Sequence, residues 1–71
     1  MKPKLGDYVR IIRGKFWGVE GRLSKFPEDK HTSYFFVHAD KIKRKGQVAD
    51  CRNIGLGLVQ NIRLNNLKVV S

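Results

Sequence analysis

Residues 8–12 alternate, with Val9 and Ile11 set between Tyr8, Arg10 and Ile12. That period of two belongs to a strand with one face buried. A strand is therefore expected over 8–12, introduced by a turn at Gly6-Asp7 in which Asp7 caps the turn. A second strand is expected over 19–26, with Leu23 inward and Arg22 and Ser24 outward. Residues 13–18 form the loop between them, and Phe16-Trp17 stands at its tip. Gly14, Gly18 and Gly21 fall where the chain bends, approaches a neighbour closely or takes a positive φ. The cluster Pro27-Glu28-Asp29-Lys30 reads as the turn that ends the second strand.

Residues 34–39 carry the clearest strand signal after that, aromatic and β-branched. Phe35, Val37 and Ala39 share the face expected to be more buried, and Tyr34, Phe36 and His38 share the other. The segment that follows is basic at Lys41, Lys43, Arg44 and Lys45, and such a run must face water or a polyanion. It is expected as a basic loop. Residues 47–57 read as a long loop with room for short pairing, because Asp50, Arg52 and Asn53 interrupt the apolar Val48, Ala49 and Ile54. Alternation returns at Ile62, Arg63 and Leu64. Asn65-Asn66 reads as a turn, and residues 67–70 as the closing strand. No stretch has a helical period, so one helical turn at Asn65-Asn66 is the most helix expected. The pattern predicts an all-β domain spanning 1–71, with a short lead at 1–5 and five short strands closed into a small barrel. Closure would remove edges that so short a chain could not otherwise protect.

Composition adds a partner class. Lysine and arginine number 15 against 6 acidic residues, a formal charge of +9. Magnitudes of roughly 2–8 are usual for soluble small domains, so the excess points to an anionic partner. Nucleic acid comes first, and an acidic protein or membrane surface second. The single cysteine, Cys51, excludes an internal disulfide and makes no zinc spacing with His31 and His38. No apolar run reaches membrane-spanning length, and Met1-Lys2-Pro3-Lys4 is not followed by the apolar segment of a signal peptide. A cytoplasmic, reducing setting and a monomer are the expectation.

The candidate chemistry is binding. Arg10, Arg13, Lys15, Arg22, Lys41, Lys43, Arg44 and Lys45 can hold phosphates through charge-assisted hydrogen bonds and counterion release. The plainer reading of these cations is a solvated charged face. Trp17 can stack on an unpaired base, whereas Phe16 is expected to cap the end of the barrel. His31 and His38 read as structural or solvated, and Cys51 as an unreactive thiol whose pKa Arg52 could lower slightly. No nucleophile–base pair, metal cluster or cofactor motif is visible, so an enzyme is not expected.

The run Gly6, Asp7, Val9, Ile11, Gly14, Gly18, Gly21 and Leu23 resembles the KOW motif of small SH3-like barrels in ribosomal and transcription proteins. Residues 36–45 and 62–70 look like the strand, basic segment and closing Asn-containing strand pair of the KOW ribosomal large-subunit proteins. The loop departs from that family, which prefers lysine and glycine where this chain has Phe16-Trp17. A weaker resemblance is to the small peripheral SH3-like subunit of photosystem I. These resemblances imply an SH3-like barrel. They also imply either RNA binding or, as the alternative, a protein-interaction module acting as a small peripheral subunit of a larger complex.

Overall fold

The computed structural model describes residues 2–25 and 34–70. Phe26, the expected turn at 27–30 and His31 lie outside the described residues. Six strands form one antiparallel sheet: β1 (Tyr8–Ile11), β2 (Val19–Ser24), β3 (Tyr34–Arg44), β4 (Gln47–Asp50), β5 (Leu58–Arg63) and β6 (Leu67–Val69). Their order is β4-β3-β2-β1-β6, and β5 pairs with β3 off that path. Among the described residues no ladder joins β6 to β4 or β5, so backbone pairing leaves the sheet open.

The long strand β3 organises the sheet. One edge pairs with β2 from Phe36 to Ile42. The other edge is shared, with β5 against Tyr34 to His38 and β4 against Lys41 to Arg44. The expected basic loop is thus the second half of a strand. Lysine and arginine do not prevent this, because a strand needs only every second residue inward. Ile42 supplies that residue and packs on the core, while Lys43 faces water. The hairpin closes at Lys45-Gly46, with φ 52° and 80°. Positive φ at both central residues is the geometry whose twist matches two antiparallel strands. The expected long loop at 47–57 is accordingly shorter. It begins with β4, continues as one 3-10 turn at Cys51–Ile54 capped by Asp50, and reverses at Gly55. The helical turn expected at Asn65-Asn66 is present as Leu64–Asn66.

Val9, Ile11, Val19, Leu23, Val37, Cys51, Val59, Ile62 and Leu67 form one buried cluster. Phe16 packs on it from the loop, half-buried. The face assignment on β3 holds for Val37 but not for Phe36, which is buried while Phe35 and Ala39 are half-buried. The register against β5 shifts between Phe35 and Val37, so Phe36 sits at a bulge and its ring meets His38 edge-on at 5.1 Å. Two glycines make the β2–β3 contact close. A Cβ on Gly21 would strike the carbonyl oxygen of His38, and one on Gly18 would strike that of Lys43.

Candidate nucleic-acid interface

The outer face of the sheet carries the polar half of each alternation. Cross-strand register lines up Lys68, Arg10, Glu20, Lys41 and Asp50 as one row from β6 to β4. Within it, Arg10 Nε donates to Glu20 Oε2 at 2.7 Å. The glutamate side chain is 3% exposed and the arginine 36%. Arg10, predicted as a phosphate ligand, therefore serves a buried carboxylate first.

A second group surrounds Tyr8. Its hydroxyl donates to Asp40 Oδ2 at 2.8 Å, and Arg22 and Lys41 lie 5.3 and 5.9 Å from its ring centroid. Arg22 also donates to the Gly6 carbonyl. Burial, then the hydrogen bond to Asp40, pushes the Tyr8 phenol up to about 12. These two predicted cations are thus gathered at an aromatic ring on the sheet rather than at the loop.

The third group is the loop itself. Arg44 Nε donates to the Trp17 carbonyl at 2.8 Å and Nη2 to the Lys15 carbonyl at 2.9 Å, with its guanidinium 4.6 Å from the Trp17 ring centroid. Two directed hydrogen bonds from one guanidinium use the fork geometry that distinguishes arginine from lysine. Arg44 is therefore a positioning residue for the loop. The Lys15 ammonium lies 5.7 Å from the Phe16 ring, and Arg13 is exposed on the same loop.

Beside Trp17 a groove of about 500 Å³ opens on the outer face. Arg10, Lys43 and Lys45 line it with Trp17, and Ile12 and Val48 give it apolar walls. Lys43 and Val48 are opposite one another in the β3–β4 ladder, so their side chains share this face. Gly18 contributes backbone alone. Ile12, Trp17 and Val48 are 41%, 40% and 60% exposed, high values for large apolar side chains. The contributions of Ile12 and Val48 were not legible in sequence. Ile12 follows the buried Ile11 and looks like core, and Val48 sits in a segment read as a loop.

The four described carboxylates are all engaged inside the chain. Asp7 accepts from the Lys4 backbone, which is the expected turn cap; Glu20 from Arg10; Asp40 from Tyr8; and Asp50 from Arg52. The Arg52 hydrogen bonds hold the Asp50 carboxyl below its usual range. The buried Cys51 thiol is pushed up rather than lowered, chiefly by loss of water and then by the Asp50 and Asp40 carboxylates. Among the described residues no group of three or more histidine, cysteine, aspartate or glutamate side chains is placed to hold a metal ion. No helix among them is long and apolar enough to cross a membrane. The chain matches no family model, no curated protein and no solved structure.

Proposed function

We propose that this chain is a small nucleic-acid-binding domain of the SH3-like, KOW type, that its first ligand is RNA, and that it acts by binding rather than catalysis. The observation that carries the reading is the distribution of charge partners. All four described carboxylates are engaged within the chain, whereas Arg13, Lys43 and Lys45 form no ion pair among the described residues. The net charge left over is positive, and Arg13, Lys43 and Lys45 place part of it on the loop and the β3–β4 turn. Lysine and arginine so placed neutralise phosphates and release condensed counterions. The motif-like glycines support the fold half of the proposal, since Gly18 and Gly21 sit where β2 meets β3 most closely.

The test is binding of a labelled RNA followed by anisotropy across a salt series. If Arg13, Lys43 and Lys45 each neutralise one phosphate of a single strand, log affinity falls against log salt with a slope near −2, at about −0.7 per contact. Lys43→Ala and Lys45→Ala each make the slope shallower. Affinity that does not change with salt overturns the proposal.

A further inference from the structure

We infer that the groove beside Trp17 takes an unpaired nucleotide, so that the protein prefers single-stranded or looped nucleic acid to a duplex. The inference rests on the nucleic-acid reading above and names the form of ligand this site selects. Three observations carry it. Trp17 keeps 40% of its surface exposed although Arg44 lies over its ring, and Arg44 does not line the groove. Arg44 therefore braces the ring and its backbone, and part of the ring remains available to the groove. A braced aromatic plane stacks a base with little ordering cost, and every base has a π-face to offer.

Second, the groove combines apolar walls with a cationic rim. Ile12 and Val48 line the space that Trp17 borders, and the cationic residues Lys43 and Lys45 line it with them. A nucleotide has this same division between an apolar-faced base and an anionic phosphate. A duplex buries its base faces in its own stack and offers only phosphates and groove edges to a protein of this shape. Third, the charge is complementary. Among the described residues no carboxylate lines the groove; Glu20, which Arg10 holds, is 3% exposed, and Asp50 is held by Arg52.

Trp17 is the chain's single tryptophan, so its emission reports the groove directly. The experiment titrates the protein with a labelled uridine-rich RNA single strand and with a blunt-ended RNA duplex of two annealed strands of equal total nucleotide number. RNA anisotropy and Trp17 emission are read together at low salt. The expected result is quenching by the single strand and an affinity about tenfold above that for the duplex, the size of one base–aromatic stack. Trp17→Ala removes the preference. Val48→Glu, at an exposed wall position outside the core, keeps the fold and lowers single-strand affinity about tenfold by placing a carboxylate in the groove. Equal affinity for both forms with unchanged Trp17 emission overturns this inference and leaves the nucleic-acid reading standing. No binding of either RNA at low salt overturns both. If only a polyglutamate peptide quenches Trp17, the groove belongs to an acidic protein segment and the inference fails.

Discussion

The Arg10–Glu20 pair gives the most direct test of how this small sheet handles its charges. Glu20 is a carboxylate at 3% exposure, held by one guanidinium at 2.7 Å. Substituting Arg10→Met keeps much of the aliphatic stem and leaves the carboxylate without its partner. Removing one member of a fully buried pair costs about 3–5 kcal/mol. Arg10 is 36% exposed, so water can reach part of the vacated space, and the expected loss is smaller, about 2–3 kcal/mol. For a domain of this size a loss of about 2 kcal/mol lowers the melting temperature by roughly 8–16 °C. The reciprocal change, Glu20→Gln, keeps the shape and lets Arg10 turn to solvent, and should cost only about 1 kcal/mol. The double variant leaves no charge buried, so its loss falls below the sum of the singles by about 1–2 kcal/mol. Urea denaturation of all four proteins at neutral pH measures the cycle. Additive losses, or a larger loss for Glu20→Gln than for Arg10→Met, would refute the claim that a desolvated carboxylate is what Arg10 is there to satisfy.

Gly21→Ala should be among the most damaging single-methyl changes available. Its Cβ meets the His38 backbone carbonyl and the Val37 side chain, so thermal melts should show a loss of about 3 kcal/mol or more, while Gly57→Ala, with open space around it, stays within about 0.5 kcal/mol of wild type. Tyr8 contributes a pH-dependent term. Its folded pKa is raised from 10.0 to about 12, so the neutral phenol's contribution is complete below pH 10 and is lost as pH rises through 12. Ultraviolet titration should show one late-ionising tyrosine that Tyr8→Phe abolishes and Asp40→Asn brings to lower pH. Arg44→Lys keeps the charge but not the two-pronged hold on the loop carbonyls. It should cost about 1 kcal/mol and change Trp17 emission, whereas an unchanged spectrum would remove Arg44 from its positioning role.

Much of the sheet could be read from alternation, and the errors had a common origin. Where one face is apolar, as in β1 at Val9 and Ile11 or β2 at Leu23, the period of two was enough. In the second half of β3 and in β4 the inward contributions are slight, with Ile42 only partly buried and Val48 facing outward. Composition there suggested a loop. The bulge that buries Phe36 depends on β5, which is distant in sequence. The candidate site divided in the same way. Its charges were visible as residue types, but their partners were not, because Arg10–Glu20, Tyr8–Asp40 and Arg44–Trp17 are all made across strands or loops. Sequence therefore did not show which cations already have partners within the chain, and it missed the apolar walls that give the groove its shape.

That division of labour among the cations can be tested with the same two variants that probe stability. Arg10 lines the groove and also holds Glu20. A phosphate approaching Arg10 must compete with a carboxylate that is already desolvated and 2.7 Å away. The carboxylate gives up nothing to hydration by staying, while the phosphate would have to shed water to displace it. Arg10 is thus largely occupied, and on the proposed reading Lys43, which has no such partner among the described residues, is expected to be the stronger phosphate contact. Among folded molecules Arg10→Met should weaken RNA binding less than Lys43→Ala does. Glu20→Gln should act in the opposite direction. It removes a negative charge from the outer face and releases a guanidinium at the edge of the groove, so affinity should rise even though stability falls, with a salt slope steeper by up to about 0.7. A variant that loses stability and gains affinity cannot be explained by partial unfolding. If Glu20→Gln instead binds more weakly than wild type, Arg10 is not held in reserve by Glu20, and the pair is part of the binding surface as it stands.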